Sequence, residues 1–366
     1  MPQKITFSPE ILKLIRDFRS EDYTDHQKYK KIAKHIIYLI RKGKLTPGTQ
    51  FPSIPELEKA LSHFAGRVTV VNAYRELVRE RYLISRHGLG TFVNKINSEE
   101  NPRVALIIPM FSVYIQIYAK FAAMLQLLVE SIKDRLWLLN SHETPQAFID
   151  SCEEAVFHWG AKFLVAVPPI NKKDPSKIDK TVENYLSNLN KKKLLEKIII
   201  FDRNTESNFD ALILQNRQMG RKLLIERAAT KKIHRALFLM ESDYKITDRK
   251  ELTKFASKLG LTIDFKKRIN TEKTLENADK FGAEALFFDS DIFATRFMTE
   301  SRDKNKFKIA GYDATNYALL NTPQITSVDP GFCEAAEIAF SLINGKAPST
   351  TLPFLLKPKL IVGDTL

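Results

Sequence analysis

Charged and polar side chains follow several apolar segments in the C-terminal two thirds of the chain. Asp202 and Arg203 follow KIIIF, Asp289, Ser290 and Asp291 follow ALFF, Asp313 follows KIAGY, and Asp329 follows ITSV. If those segments are parallel strands, their carboxyl ends meet at one edge of a sheet, where ligands bind in open sheets. Carboxylates accept hydrogen bonds from hydroxyl groups and arginine donates a planar fork, so this set suits a neutral polyol.

Three further residues complete this predicted ligand site. Arg249 follows the segment RALFLM and its loop, while Phe111 and Tyr114 follow the first apolar segment, where their rings would stack on an apolar sugar face. The residues predicted to bind the ligand are Phe111, Tyr114, Asp202, Arg203, Arg249, Ser290, Asp313 and Asp329.

Several polar residues in this region also have a purely structural interpretation. Asp202 and Arg203 are equally compatible with a salt bridge across a hinge, and Asp291 is more typical of a helix N-cap than of a ligand contact. The position of Asp313 at the end of a strand favours a contact with the ligand over a capping role. Gly220 has no glycine-rich phosphate loop around it, so we interpret it as a glycine that lets a helix pack closely.

The segments that must position these residues alternate between two patterns. Apolar segments typical of buried strands cover 103–109, 135–139, 163–167, 197–201, 211–215, 235–240, 285–288, 308–312 and 325–328. Helical patterns lie between them, for instance at 115–132, 145–159, 216–229, 247–259 and 331–344. This alternation predicts parallel sheets with helices on both faces, and the length favours two such lobes over one wide sheet.

A different pattern occupies 29–93. A lysine-rich amphipathic helix is followed by the turn Pro47-Gly48, and Ser53 then caps a second helix. A third helix starts at Arg67 with an apolar stripe on one side, and RHGLG joins two short strands. This order predicts a winged helix-turn-helix, whose third helix sets polar residues against base edges while arginines reach phosphates.

The same residues resemble the GntR family of bacterial transcription regulators. The resemblance is carried by LTPGTQFPSIPEL, RVTVVNAYRELVRERYLI and the wing HGLGTFV, although Pro55, Gly66 and Val71 differ from the residues usual in the family. It implies contacts with operator DNA at Ser53, Arg67, Thr69, Asn72, His87 and Gly88, and the polar pattern of the third helix adds Arg75. His87 is equally compatible with a surface turn that contacts nothing.

The remainder of the chain resembles the effector domain of LacI-type regulators, which is similar to periplasmic sugar-binding proteins. The matching stretches include KIIIFDRN, ALFFDSDIFA, KIAGYD and TPQITSVDPGFCEAAEIAFSLING, in the expected order over most of 103–362. The resemblance implies a ligand between two lobes, with contacts at Asp202, Arg203, Arg249, Ser290, Asp313 and Asp329 and aromatic rings near Phe111 and Tyr114. Ser290 stands where the family usually has asparagine, so no particular sugar is implied.

The distribution of charge supports contact with DNA. The chain of 366 residues has a net charge of +14, and residues 1–95 hold 18 lysines and arginines against 9 aspartates and glutamates. Most of the positive excess therefore lies in roughly a quarter of the chain, which is the electrostatic footprint expected of a duplex-binding module.

The chain is predicted to be multidomain. We expect a helical extension over 1–25, an α+β winged helix-turn-helix domain over 26–96, a polar linker over 97–102, and a two-lobed, periplasmic-binding-protein-like α/β domain over 103–366. No apolar run reaches the length of a membrane span, and the N-terminus lacks the core of a signal peptide. Cys152 and Cys333 have no metal-like spacing, so we expect buried reduced thiols in a cytoplasmic protein.

Together these patterns predict a homodimeric regulator that binds double-stranded operator DNA and responds to a small ligand, with a monosaccharide favoured. A non-sugar ligand such as a purine is an alternative, whereas the winged domain disfavours a solute-binding protein. The chain has no HExxH, GxSxG or Walker motif and no clustered cysteine and histidine, so no enzyme, cofactor or metal site is expected. The effector, the operator and the sign of regulation stay open.

Overall fold

The computed structural model describes residues 9–18, 27–94, 102–109, 115–141, 144–171, 177–240, 248–346 and 353–366. The predicted ligand residues Phe111 and Tyr114 lie outside these ranges, as does the predicted linker apart from Pro102.

Within the described residues, the N-terminal unit comprises four helices and a three-stranded antiparallel sheet. Its elements are α1 Pro9–Arg16, α2 Lys28–Arg41, β1 Gln50–Phe51, α3 Ile54–Ala60, α4 Arg67–Arg79, β2 Leu83–Arg86 and β3 Gly90–Val93. The sheet has the order β1-β3-β2, so the hairpin of β2 and β3 forms the wing.

The local sequence explains how these elements begin and turn. The Ser53 main-chain N–H donates to Glu56 Oε2 at 2.9 Å in a capping box that starts α3, as the predicted cap requires. Helix α2 buries Ile32 and Ile36 on the predicted apolar stripe. In the wing turn Gly88 has a φ of +71°, a backbone conformation that favours glycine.

The first lobe of the C-terminal part is a six-stranded parallel sheet with helices on both faces. Its elements are β4 Val104–Ile108, α5 Ile115–Ser131, β5 Leu136–Asn140, α6 Pro145–Glu153, β6 Phe163–Ala166, α7 Lys180–Lys191, β7 Lys197–Phe201, β8 Ala211–Leu214, α13 Phe332–Ile343 and β14 Phe354–Leu355. The strand order is β14-β8-β7-β6-β4-β5. Along β7, Ile198 and Ile200 face one hydrophobic core and Ile199 and Phe201 face the other, which is the period of two expected of a strand buried on both faces.

The second lobe is also built on a six-stranded sheet. Its elements are α8 Arg217–Thr230, β9 Arg235–Met240, α9 Arg249–Lys258, β10 Thr262–Lys267, α10 Thr271–Phe281, β11 Ala285–Phe288, α11 Asp291–Glu300, β12 Lys308–Tyr312, α12 Asn316–Leu319, β13 Thr326–Asp329 and β15 Lys359–Ile361. The order is β10-β9-β11-β12-β13-β15, and β15 is antiparallel to β13 while the other neighbours are parallel.

Three crossings between the lobes lie in the described part of the chain. They follow β8, β13 and β14, and they lead to α8, α13 and β15 respectively. At the second crossing the Gly331 N–H donates to Asp329 Oδ1 at 2.9 Å, and Gly331 has a φ of +91°. The predicted two-lobed architecture of parallel sheets is therefore confirmed, with a hinge made of three short connections.

The winged unit packs directly against the first lobe. Ile40 of α2 and Phe148 of α6 belong to one continuous hydrophobic core. Arg41 Nη2 donates to the Phe157 carbonyl oxygen at 2.6 Å and to the Tyr82 hydroxyl at 2.7 Å, and that hydroxyl donates to the same carbonyl oxygen. The two parts of the chain are therefore joined by buried polar contacts as well as by apolar packing.

The structure corrects some expectations about individual elements. Strand β10 was not predicted because its sequence TIDFKK is half polar, and it forms the edge of its sheet beside β9. The predicted helix over 145–159 ends as an α-helix at Glu153 and continues as a π-helical turn, Glu154–His158. Cys152 is buried as expected, but Cys333 is exposed because it lies on the outer side of α13.

No helix in the described ranges has the length and apolar character needed to cross a membrane.

Candidate functional site

Helix α4 presents an uncovered face away from the core of the winged unit. Val70, Ala73 and Leu77 are fully buried on its inner side. The polar residues predicted to contact DNA occupy the other sides, where Arg75 is exposed and Asn72 is partly exposed. Since successive turns of a helix stack residues spaced three or four apart, the outer face offers a continuous row of side chains.

The remaining predicted DNA residues surround this row. Arg67 begins α4, is exposed, and lies 3.6 Å from Glu58 of α3 in a weak ion pair. Thr69 is partly exposed in the first turn of α4, and His87 and Gly88 are exposed at the wing turn. Ser53 is exposed as well, but both its main-chain N–H and its hydroxyl already donate to Glu56.

A second polar region lies where the two lobes face each other. On the first lobe, the Tyr118 hydroxyl donates to Asp202 Oδ2 at 2.7 Å, and Arg203 Nη1 donates to the same oxygen at 3.0 Å. Arg203 Nε also donates to the Pro168 carbonyl oxygen at 3.2 Å. The Asp202–Arg203 pair is therefore a salt bridge within one lobe, and Tyr118 from α5 holds its carboxylate.

The second lobe contributes two buried carboxyl groups. Asp313 directly follows β12, and burial raises its pKa to about 8 although the Arg217 guanidinium acts in the opposite direction. Asp291 accepts hydrogen bonds from Ser327 Oγ at 2.6 Å and from the Thr315 N–H at 2.7 Å. Burial raises the pKa of Asp291 to about 7 in spite of these donors.

These contacts decide between the structural interpretations of Asp291. The residue that precedes α11 as its N-cap is Ser290, whereas Asp291 is the first helical residue and its side chain is fully buried. The N-cap interpretation of Asp291 is therefore wrong, and its carboxyl group instead ties α11 to β13 and to the loop after β12.

Arg217 is a cleft residue that was not predicted from the sequence. It is the first residue of α8, and its guanidinium lies 5.3 Å from the centre of the Tyr312 ring. Burial alone would lower the pKa of Arg217, but the carboxyl groups of Asp202 and Asp313 raise it. Arg217 therefore lies near a carboxyl group of each lobe, Asp202 and Asp313. Its position shortly after a buried strand is the signal by which it could have been found.

Four polar side chains near this cleft are buried with incomplete hydrogen bonding among the described residues. They are Gln215, Ser290, Tyr312 and Asp313, of which Asp313 lacks a partner at Oδ1. The Ser290 hydroxyl is near enough to lower the pKa of Asp313, but its geometry does not complete a hydrogen bond. Buried polar atoms without partners are costly, so this group is suited to a polar ligand that supplies hydroxyl groups.

Two predicted ligand residues make other contacts in this structure. Arg249 Nη2 donates to Asp264 Oδ1 of β10 at 2.6 Å, and Arg249 is exposed. Asp329 accepts the hydrogen bond from Gly331 at the second crossing between the lobes. Arg249, the first residue of α9, thus contacts the edge strand of the second lobe, and Asp329 accepts a hydrogen bond within the hinge.

One contact bridges the lobes directly. The Lys120 ammonium group on α5 donates to the carbonyl oxygen of Ala314, which follows Asp313. Lys120 also lowers the pKa of Asp291 against the effect of burial. A small cavity of about 10 Å³ in the second lobe is lined in part by Arg217 and Tyr312.

Among the described residues no group of histidine, cysteine, aspartate or glutamate side chains has an arrangement that could hold a metal ion. The N-terminal part of the chain is thus a winged helix-turn-helix DNA-binding domain, and the C-terminal part is a two-lobed domain of the periplasmic-binding-protein type.

Comparison with known proteins identifies the N-terminal domain. Residues 28–93 match the family model described as bacterial regulatory proteins, gntR family. No curated protein sequence matches the chain. The winged helix-turn-helix is therefore of the GntR type, and the protein is a transcription regulator.

The C-terminal part is similar to solved structures of LacI-type regulators. Transcription regulator CcpA of Lactococcus lactis is 13% identical, with a TM-score of 0.58 over 73% of this chain and 99% of that chain. The trehalose repressor from Escherichia coli is 15% identical, with a TM-score of 0.54 over 72% and 100%. A LacI family regulator from Arthrobacter sp. FB24, in complex with lactose, is 14% identical, with a TM-score of 0.56 over 72% and 99%.

At these identities the likeness shows a shared fold. The proteins to which both parts of the chain are similar are transcription regulators and not enzymes.

Proposed function

We propose that this protein binds an operator through α4 and the wing, and that a small polar ligand between the lobes sets its affinity for that operator. A monosaccharide is the ligand class that we favour. The observation that carries the proposal is the set of buried, incompletely hydrogen-bonded polar groups at the cleft of a domain joined to a DNA-binding unit.

The DNA contacts that we propose are those on the uncovered face of α4 and in the wing. Arg67, Thr69 and Asn72 lie on the first turns of α4, the part of a recognition helix that meets base edges, and Arg75 is placed to reach a phosphate. His87 and Gly88 would approach the adjacent groove. Ser53 is also proposed to contact DNA. Its side chain is less free to reorient, because its hydroxyl already donates to Glu56.

The proposed ligand contacts come from both lobes. Asp202 and Arg203 on the first lobe and Arg217, Ser290 and Asp313 on the second combine acceptors with guanidinium donors. A sugar hydroxyl both donates and accepts, so it would satisfy a carboxyl oxygen and a guanidinium at once. The Arthrobacter relative was solved with lactose, which is also a sugar, although it is a disaccharide.

Coupling to DNA would follow from the way the parts are joined. The winged unit is fixed to the first lobe by Arg41 and Tyr82, and the lobes are bridged by Lys120. A ligand that changes the angle between the lobes would alter how two copies hold their winged units, and thus the match to a two-fold operator. One solved relative is a dimeric Lac repressor, and we propose a homodimer in the cytoplasm here.

The test is a fluorescence anisotropy titration of a labelled duplex from upstream of the gene, with and without pentoses, hexoses and deoxyhexoses. We expect sequence-selective binding whose Kd one sugar shifts about 5- to 150-fold, the usual range of coupling between two sites. The variant Arg217→Met should lose the sugar response while it retains DNA binding. Lys222→Met, which removes a charge from the same helix at a partly exposed position paired with Glu251, is the matched control.

Each outcome tests a different part of the proposal. Selective binding that no sugar shifts, but that a purine shifts, would keep the regulator and replace the ligand class. If candidate operators bind no more tightly than random DNA, the DNA-binding proposal is wrong.

A further inference from the structure

An aliphatic side chain stands at the start of the uncovered face of α4. Val68 is 74% exposed, whereas Val70, two residues later, is fully buried. Val68, Asn72 and Arg75 are spaced by one and two helical turns, so they lie in a row directly opposite the buried stripe. The row therefore runs from an isopropyl group to an amide and then to a guanidinium.

Val68 differs from the other exposed apolar residues of the winged unit by its position. Ile84 and Leu89, at 41% and 60% exposed, lie in the hairpin of the wing, away from α4. Val68 is the second residue of α4, and the space around the N-cap Gly66 is open, since a Cβ added there would meet no atom within 4 Å. Its methyl groups are thus accessible to a flat surface that approaches the first turn of the helix.

We infer that Val68 is a specificity-determining residue that packs against the 5-methyl group of a thymine in the operator, an inference that rests on the proposed function. In the major groove thymine alone among the four bases presents a methyl group, and an aliphatic side chain is its natural partner. Asn72, one turn further along the same row, has an amide that can pair with adenine N7 and N6. Val68 and Asn72 therefore select A·T pairs in the part of each half-site that α4 contacts.

The size of the effect follows from the area that one methyl group buries. Burial of one methyl group contributes about 0.8 kcal/mol, which is roughly a three- to fourfold change in Kd. Arg75 and the wing residues would contribute to affinity without distinguishing thymine from uracil, because these bases differ only in that methyl group.

The experiment first selects a preferred duplex from a randomised pool with the full-length protein. Each thymine of that duplex is then replaced by deoxyuridine, one position at a time, and Kd is measured by anisotropy. We expect one thymine in each half-site where uracil weakens binding about three- to fourfold. In Val68→Ala the difference between the thymine and uracil duplexes at that position should largely disappear, because the two terminal methyl groups of valine are removed. Leu89→Ala, a truncation at an exposed wing residue, should keep the difference.

The results separate this inference from the proposed function. Selective binding with no uracil-sensitive thymine, or a sensitive thymine whose effect persists in Val68→Ala, would overturn the role of Val68 and leave the regulator intact. Failure to select any duplex would remove both. A melting temperature of Val68→Ala equal to that of the unmodified protein shows that the variant is folded, as expected for a residue without buried contacts.

Discussion

Asp313 combines a position at a strand end with complete burial. It directly follows β12, its φ is +91°, and only 2% of its surface is exposed. Because burial disfavours the carboxylate, the folded protein holds the proton of Asp313 up to about pH 8. A protonated carboxyl group both donates and accepts, which gives Asp313 a different hydrogen-bonding capacity from that of an ionised aspartate.

This raised pKa leads to a prediction about stability and pH. The unfolded chain releases the Asp313 proton near its ordinary pKa, whereas the folded chain retains it to about pH 8. Asp313 therefore contributes a decrease of stability as pH rises between these two values, with a slope of about 1.4 kcal/mol per pH unit. Urea denaturation from pH 5 to pH 8 should show a shallower decrease in Asp313→Asn.

Asp264 provides a control of the opposite sign. Burial alone would raise its pKa, but the N–H of Phe265 and the ammonium group of Lys266 lower it overall. Asp264 is thus ionised in both states over the tested range, and Asp264→Asn should leave the slope unchanged. A slope in Asp313→Asn equal to that of the unmodified protein would show that Asp313 is ionised when folded.

At the scale of elements, α8 packs so closely against the Tyr312 side chain of β12 that position 220 of α8 has no room for a side chain. A Cβ built on Gly220 would lie 2.9 Å from Tyr312 Cε2 and would overlap the hydroxyl oxygen. The sequence-based interpretation of Gly220 as a packing glycine agrees with this geometry. The close approach brings Arg217, one turn earlier on α8, over the Tyr312 ring.

Gly220→Ala should therefore destabilise the second lobe. Overpacking of this kind costs about 1–3 kcal/mol, in spite of the higher helix propensity of alanine. Tyr312→Phe removes the overlapping oxygen, so the double variant should recover part of that loss in a double-mutant cycle. Additive losses in urea denaturation would mean that Gly220 and Tyr312 do not constrain each other.

The whole molecule depends on the contact between the winged unit and the first lobe. Arg41 is partly buried there, and burial lowers its pKa in spite of Tyr82. Its guanidinium and the Tyr82 hydroxyl both donate to the Phe157 carbonyl oxygen in the π-helical turn after α6. The turn thus presents to the winged unit an acceptor that a regular helix would use internally.

Arg41→Met should weaken this contact by about 2 kcal/mol, since a buried hydrogen bond to a charged group contributes about that much. In calorimetry we expect the winged unit to unfold earlier than the lobes. Lys44→Met also removes one charge from the winged unit but from an exposed position, and it should leave the transitions unchanged. A single unaltered transition in Arg41→Met would show that apolar packing alone joins the two parts.

The concentration of positive charge in the N-terminal part predicts a strong dependence of DNA binding on salt. Each phosphate contact adds about 0.9 to the slope of log Kd against log salt concentration. Arg75→Ala should reduce the slope by about one contact and weaken all duplexes alike, whereas Asn72→Ala should relax the preference at one base pair. An unchanged slope in Arg75→Ala would remove this arginine from the phosphate contacts.

Periodicity and local motifs let the sequence determine the two kinds of domain. The segments KIIIF, RALFLM, ALFF and KIAGY are strands with the predicted bounds, because uninterrupted apolar segments are typical of strands buried on both faces. The GntR-type motif likewise identified α3, α4 and the wing from the Ser53 cap and the glycines of the turn. These features are local, so the order of residues along the chain is sufficient to specify them.

Only the tertiary structure decided which polar groups meet across the molecule. The fold brings Tyr118 of α5 to Asp202, Lys120 of α5 to the carbonyl oxygen of Ala314, and Arg217 of α8 near Asp202 and Asp313. Arg249, which the sequence placed with that group, pairs with Asp264 because β10 adds an edge strand beside β9. Such contacts depend on how distant segments of the chain pack together. Neither the residue types nor their spacing along one segment encodes that packing.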